Sequence, residues 1–161
     1  MAILTTSGRA ALAAAVKQQA LHLAIGEGDP SWDGQYPPSE STAQTALLRE
    51  VGRRVVDEVH FVSAAAEGEI VVPTGRFSIS SDPTNNLFIR VRFDFEDAAT
   101  STIREQALFV GTATKPELPL GQKYFSPTDL LEAGILLVLE NSVPIVRQPS
   151  TRETFEFVVT F

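Results

Sequence analysis

The sequence predicts an α+β protein in which N-terminal helices pack on a mainly antiparallel β-sheet or sandwich, within a single domain over residues 1–161. Three observations lead to this prediction. An alanine-rich stretch near the start favours a helix. Several later stretches alternate apolar and polar residues, as half-buried strands do. Hydrophobic residues make up 43% of the chain, which is enough to bury a core.

The N-terminal region predicts a helix followed by a strand. The stretch GRAALAAAVKQQ begins at Gly8 and is rich in alanine, the best helix former, and Thr5, Thr6 or Ser7 can cap its N-terminus. The stretch LHLAIG then alternates and predicts a short strand. Residues 26–42 are rich in glycine and proline and predict a long loop.

A second helix is predicted after this loop. The stretch STAQTALLREV runs from residue 41 to 51, and Ser41 or Thr42 can cap it. From Val55 onward the pattern turns extended. The two helices account for the α part of the predicted fold, and the remaining stretches account for its β part.

The strands are predicted from period-two patterns. GEIVVPTGRFSIS is predicted to be an edge or bulged strand, because Pro73 has no N–H to donate. LFIRVRFDFED places Leu87 and the alternate apolar residues on one face. TIREQALFVGT predicts the next strand. ILLVLENSVPIV is apolar on both faces at first and predicts a central strand. ETFEFVVTF predicts a last strand whose edge can pair with a partner's sheet.

The stretch GDPSWDGQYPPSE resembles an ion-binding loop in part. Asp29, Ser31, Asp33, Gly34 and Glu40 fall at positions 1, 3, 5, 6 and 12 of a calcium-loop pattern. No helix enters the loop, prolines stiffen it, and no second such loop exists, so an acidic, proline-bounded loop is the better interpretation. A dinucleotide fingerprint fails too, because no helix starts at this loop.

Composition argues against several functional classes. The net charge of −7 disfavours nucleic acid and anionic membranes as partners, and no apolar stretch approaches the ~20 residues of a membrane span. There are no cysteines, so thiolate sites are excluded. Neither His22 nor His60 lies in a pattern typical of a catalytic base. We therefore expect no enzyme, no catalytic residue, no metal and no cofactor.

Aromatic residues in the two long loops and in the last strand are the candidate interface residues. Trp32 and Tyr36 are large aromatics in a polar loop, where such residues either fold back to cap a core or anchor protein interfaces. Residues 112–134 form a second long connection, and loops of this length in compact domains are usually functional or docked onto something. This connection contributes Tyr124 and Phe125, and the last strand contributes Phe161.

Four stretches, in order, resemble the N-terminal domain of phage tail-collar fibre proteins: LTTSGRAALAAAVKQQ, LHLAIGEGD, STAQTALLREVGRRVV and TIREQALFVGT. The resemblance covers roughly residues 3–112. The matching positions are Leu4, Thr5, Gly8, Gly26, Gly28, Gln44, Thr45, Ala46, Leu47, Glu50, Val51, Ile103, Arg104, Glu105, Leu108 and Phe109.

The resemblance implies a structural protein of a contractile or related phage tail, or of a tailocin. Such a protein is an adaptor that attaches a fibre, or links neighbouring tail components, through protein–protein contacts. The implied partners are baseplate wedge or tail proteins and a tail fibre protein, with this chain as a homo-oligomer or in several copies. Because a long fibre would continue past Phe161, we expect a free-standing attachment domain in the virion, made in the host bacterial cytoplasm. A carbohydrate- or calcium-binding module is the alternative.

Overall fold

The protein is mostly β-structure. The computed structural model describes residues 1–161. It contains one α-helix, α1 (Thr6–Lys17), and twelve strands. The strands are β1 (Leu21–Gly26), β2 (Glu50–Val55), β3 (Glu58–Ala64), β4 (Ile70–Val72), β5 (Gly75–Ile79), β6 (Asn86–Phe93), β7 (Thr102–Val110), β8 (Ala113–Thr114), β9 (Tyr124–Phe125), β10 (Leu130–Glu132), β11 (Ile135–Val146) and β12 (Glu153–Thr160). No helix combines the length and apolarity needed to cross a bilayer.

Contacts within the chain separate into two compact units. The first unit contains Met1–Gln19, Val56–Val91 and Thr154–Phe161, and the second contains Ala20–Val55 and Arg92–Glu153. The chain therefore passes between the units several times. That the whole chain is one domain stays a prediction.

The first unit contains α1 and a five-stranded sheet in the order β12-β6-β3-β5-β4. The helix begins as its sequence predicts, because the Thr5 hydroxyl accepts a hydrogen bond from the Gly8 N–H at 3.1 Å. Ala13 is its buried residue. The predicted apolar face of β6 is buried at Leu87 and its alternate neighbours. One core cluster of this unit consists of Val62, Ile70, Val72, Phe77 and Phe88, with Val158 packed against it.

The second unit contains a five-stranded sheet in the order β11-β7-β1-β2-β9 and a small β10-β8 ladder. β1 lies at its centre, paired antiparallel with β2 on one side and β7 on the other. All six residues of β1 are buried, which is why the stretch LHLAIG is apolar at nearly every position. A core cluster of Ala24, Leu47, Ala107 and Phe109 lies against this sheet.

The predicted α+β class with several N-terminal helices is wrong. Residues 41–49 form turns and bends, and β2 begins at Glu50, where the second helix was expected. The side chain of Leu47 is buried in the core, and the N–H groups of Leu48 and Arg49 donate to Glu105. These long-range bonds replace the bonds that a helix would make, so tertiary contacts override a good local helix propensity.

Two strand predictions also need correction. β11 was expected in the middle of a sheet, but it lies at the edge, beside β7 alone. Ile135, Val143 and Val146 on this strand are exposed, so its apolar composition does not indicate burial on both faces. Pro73 does not interrupt one strand; it lies in the turn that joins β4 to β5 as an antiparallel pair.

Candidate docking surface

A buried carboxylate holds both ends of the long loop between β1 and β2. Glu105 on β7 has no exposed surface. It accepts three backbone N–H bonds, from Gly28 at 3.2 Å, Leu48 at 2.9 Å and Arg49 at 2.8 Å. Three donors compensate for the loss of water around a buried charge. Residues 27–49, called the β1–β2 loop below, are thus tied to β7 at their start and at their end.

Two glycines at the start of this loop, Gly26 and Gly28, are required by close packing. A Cβ on Gly26 would lie 2.7 Å from Cγ of Glu105 and 2.8 Å from the carbonyl oxygen of Arg49. Gly28 has φ +53, and a Cβ there would lie 2.5 Å from the ring of Trp32. The Gly-x-Gly pattern therefore makes room for a carboxylate on one side and an indole on the other.

The neighbouring residue on β7 holds the middle of the loop. Arg104 donates two parallel bonds to the carboxylate of Asp33, at 2.6 and 2.8 Å, and a third to the carbonyl of Glu27 at 3.0 Å. The hydrogen bonds from Arg104 hold the pKa of Asp33 below its usual range. The paired guanidinium–carboxylate geometry is directional, so it fixes the position of Asp33 as well as its charge.

A third attachment comes from β11. The Asn141 N–H donates to the Glu40 carboxylate at 2.7 Å, and the Asn141 amide donates to the Pro38 carbonyl at 2.9 Å. Together with the buried Leu47, these bonds hold the loop at several points along its length. A loop fixed in this way loses little conformational entropy when a partner binds to it.

The clamped loop presents apolar side chains to solvent. Tyr36 is 98% exposed and Leu48 is 63% exposed, both within the β1–β2 loop. Trp32, the other aromatic predicted here, is half-buried against Gly28. Large aromatic and aliphatic side chains held in water by a rigid loop are the usual composition of a protein-binding surface.

The acidic residues of the calcium-like pattern have other partners. Asp29 caps the short turn that follows it by accepting from the Ser31 N–H at 2.8 Å, and this bond lowers the pKa of Asp29. Asp33 pairs with Arg104, and Glu40 binds the Asn141 N–H. The three carboxylates thus serve to shape the loop and to fix it to the sheet.

The other predicted interface residues occupy different environments. Phe125 is 5% exposed and packs edge-on against the ring of His22, so its side chain lies in the interior. Phe161 is half-buried, and its N–H donates to the Asn85 carbonyl at 2.9 Å. Tyr124 is half-buried, and burial raises its pKa to about 12.

Tyr124 also lines an open groove of about 680 Å³ in the second unit. The groove carries charges of both signs, including the Arg54–Asp97 and Arg152–Asp94 ion pairs. Because its lining carries three cationic and three acidic side chains, the groove shows no net preference for a cation or an anion.

A buried arginine anchors the second predicted loop, residues 112–134. Arg53 is 1% exposed and lies over the ring of Phe109, with the guanidinium carbon 4.0 Å from the ring centre. It donates to Glu50 through two bonds of 2.8 Å, to Thr112 at 2.9 Å and to the Ala133 carbonyl at 2.6 Å. Both ends of this loop are therefore held at one guanidinium, and Leu120 within it is fully exposed.

Sequence reasoning missed the residues that build these clamps. Arg104 and Glu105 were noted only as positions of the TIREQALFVGT motif. Their adjacency on a predicted strand was a usable signal. Neighbouring strand residues point to opposite faces of a sheet, so Arg104 and Glu105 cannot both face solvent when one face of the sheet is buried. Asn141 had no signal, because its partners lie about a hundred residues earlier in the chain.

A β-rich scaffold that holds two long loops, with apolar side chains exposed on them, is typical of structural proteins that act through protein contacts. The whole chain, residues 1–161, matches the family model described as "Baseplate wedge 3 tail fiber network component", and the chain belongs to this family. It is also similar to "Virion protein 3" of Enterococcus phage phiEF24C, with 25% identity over 174 aligned positions that cover 99% of this chain and 95% of that protein.

These comparisons make the chain a structural protein of the phage tail baseplate, located in the virion. The expected class, a phage baseplate and tail-fibre protein, is confirmed. The narrower resemblance to the tail-collar fibre family is not what the comparisons support, since the matching family is a baseplate wedge component.

Proposed function

We propose that this protein is an adaptor that attaches a tail fibre to the baseplate, or links neighbouring tail components, through protein–protein contacts alone. Its function on this proposal is binding, with no covalent bond made or broken. The family description, which names a tail fibre network, supports a fibre or a fibre-bearing neighbour as the partner. The protein is made in the host cytoplasm and acts in several copies per particle.

One observation carries the proposal: the β1–β2 loop is clamped from within and exposes Tyr36 at its tip. Ordering a free loop during assembly would cost conformational entropy, and the Glu105 and Arg104 bonds remove most of that cost beforehand. Buried tyrosines are frequent hot spots in interfaces because they bury a large apolar surface with few rotatable bonds.

The test is assembly of tails that carry Tyr36→Ala. Truncation of an interface anchor typically costs about 2 kcal/mol, which weakens binding roughly 30-fold. We expect purified tails to contain less fibre protein, or less of this protein, relative to the other tail proteins when measured by quantitative mass spectrometry. The thermal unfolding midpoint of the isolated variant should stay near that of the wild type, since Tyr36 is 98% exposed.

The matched control is Val71→Ala. Val71 is also an exposed apolar residue, at 58%, but it lies on β4 in the first unit. This variant should assemble normally. Tails of normal fibre content and normal stability with Tyr36→Ala would contradict a docking role for the loop.

A further inference from the structure

The two five-stranded sheets have four edges, and three of them are protected against pairing with another strand. The edge strand β9 has two residues and the edge strand β4 has three, both too short to template a partner. Natural proteins protect exposed edges in this way because unpaired N–H and C=O groups otherwise recruit further strands.

The long edge strand β11 is protected by different means. Pro144 lacks an N–H, and the register shifts twice along the strand. At its middle, the Asn141 N–H already donates to Glu40, and the Asn141 amide to Pro38, so a loop covers this point. A partner strand would have to displace those bonds and accommodate the irregular register.

The remaining edge, β12, has none of these protections. It runs for eight residues with neither proline nor glycine, in the sequence ETFEFVVT. Three bonds to the β6 region fit one antiparallel register: the Arg90 side chain donates to the Glu156 carboxylate, the Thr160 hydroxyl donates to the Asn86 side chain, and the Phe161 N–H donates to the Asn85 carbonyl. Such a regular, strongly β-forming edge is the feature that other proteins avoid leaving open.

The direction of the outer N–H groups follows from this register. The Phe161 N–H points toward β6, because it donates to the Asn85 carbonyl at 2.9 Å. In an antiparallel pair the N–H groups of alternate residues point inward and outward. The outward groups of β12 therefore belong to Thr154, Glu156, Val158 and Thr160.

We propose that the outer edge of β12 is a second docking site, which accepts an extended segment of another tail protein as an added antiparallel or parallel strand. This goes beyond the loop surface proposed above, because the loop belongs to the second unit and residues 154–160 to the first. The backbone of the segment satisfies the outward N–H and C=O groups.

The side chains of β12 specify the chemistry of that segment. Glu156 is already paired with Arg90, so the charge preference comes from the chain as a whole: because its net charge is −7, a segment that carries Lys or Arg is favoured over a second acidic copy of this chain. The half-buried Phe157 and Val159 favour β-branched or aromatic residues opposite them.

The test compares hydrogen exchange in the isolated protein and in purified tails. The peptide that covers residues 153–160 should lose about four exchangeable positions in tails, one for each outward N–H group. The peptide that covers β11 serves as the control and should change less. Equal exchange of residues 153–160 in both states overturns the proposal. If the β1–β2 loop becomes protected in the same tails, the loop proposal survives that failure.

A pair of variants at one position tests the same edge. Thr154→Pro removes an outward N–H, while Thr154→Val keeps it and preserves strand propensity. The loss of one intermolecular hydrogen bond should reduce incorporation of Thr154→Pro into tails roughly fivefold, with Thr154→Val at the wild-type level. Equal incorporation of both variants overturns the proposal. Sedimentation of the isolated protein gives a further test. The proposal is overturned if the wild type dimerises and Thr154→Pro does not, because a second copy of this chain would then occupy the edge.

Discussion

Gly26 and Glu105 face each other across β1 and β7, and the gap between them leaves no space for a side chain on Gly26. The register places the two residues in the same rung of the ladder, and the Glu105 carboxylate uses that space to reach three backbone N–H groups. The shape of the loop therefore depends on the absence of one methyl group.

Gly26→Ala should destabilise the protein by about 2 kcal/mol, the usual cost of forcing an extra methyl into a packed interior. The new Cβ would press on Cγ of Glu105 at 2.7 Å and on a backbone oxygen at 2.8 Å, neither of which can move freely. Urea denaturation measures the change. Gly8→Ala is the control, since its Cβ meets only the flexible Leu4 side chain and a hydroxyl at 3.1 and 3.2 Å. Because alanine favours a helix over glycine, this substitution should cause no loss of stability and should raise it by up to about 1 kcal/mol.

Glu105→Gln should release the β1–β2 loop. The amide keeps one acceptor oxygen but turns an NH₂ group toward backbone donors, so at least one buried N–H loses its partner, at a cost of about 2 kcal/mol. Hydrogen exchange should rise at Gly28, Leu48 and Arg49, the three donors. The exposed Glu67→Gln, the same chemical change, should leave exchange in the loop unaltered. Unchanged protection of the donors in Glu105→Gln would refute the clamp.

Trp32→Ala should leave the protein folded and weaken assembly into tails. The indole is only half-buried, so its truncation should lower stability by less than about 1.5 kcal/mol. Removal of the indole ring also takes away the group that packs against Gly28, so the loop becomes less ordered. Thermal unfolding of the isolated variant and its incorporation into tails are the two measurements. A large fall in melting temperature would instead assign Trp32 to the core.

His22 should make stability depend on pH between about 4 and 6.5. Burial, helped by the nearby charge of Arg53, lowers the pKa of His22 from 6.5 to about 4. The unfolded chain takes up a proton near pH 6.5, whereas the folded protein does so only near pH 4. His22 therefore favours folding fully above pH 6.5, and this contribution falls by up to about 3 kcal/mol as the pH drops to 4.

Denaturation curves at several pH values for His22→Leu test this dependence. The variant should show a flatter profile between pH 4 and 6.5, because the proton uptake by the unfolded chain at this site is gone. An unchanged slope in His22→Leu would rule out this residue as its source.

Thr5→Ala should destabilise α1. The Thr5 hydroxyl satisfies the Gly8 N–H, one of the donors without a partner inside the helix. Loss of such a cap costs about 1 kcal/mol, which circular dichroism during urea titration can detect. Thr6→Ala changes the same side chain one residue later, inside the helix, and should have a smaller effect or a favourable one.

Local sequence patterns were sufficient to predict the helix and the strands whose conformation depends mainly on their own residues. The alanine-rich stretch with Thr5 as its cap forms α1, and the LHLAIG, LFIRVRF and TIREQALFV stretches form β1, β6 and β7 as their periodicity predicts. In each case the backbone bonds lie within the helix or the ladder, and the apolar residues face a core. Charge and motif order also indicated the correct broad class, a phage baseplate and tail-fibre protein.

Local patterns failed where distant residues supply the partners. The stretch STAQTALLREV has the composition of a helix, yet Leu48 and Arg49 donate to a carboxylate more than fifty residues later in the chain. β11 has the composition of a central strand, yet a loop a hundred residues earlier covers part of its edge. Helix propensity is worth tenths of a kcal/mol per residue, and a buried carboxylate with three N–H donors outweighs it.

The sequence by itself therefore determined the helix, most strands, the acidic surface and the absence of thiol chemistry, since these follow from composition and short-range periodicity. Only the tertiary structure decided that Glu105 and Arg104 hold the β1–β2 loop, that Tyr36 stands in solvent and Phe125 does not, and that β12 is the open edge. The reason is physical: burial and hydrogen bonding join residues that are far apart in the chain. The pattern of a single stretch does not show which distant residues it will contact.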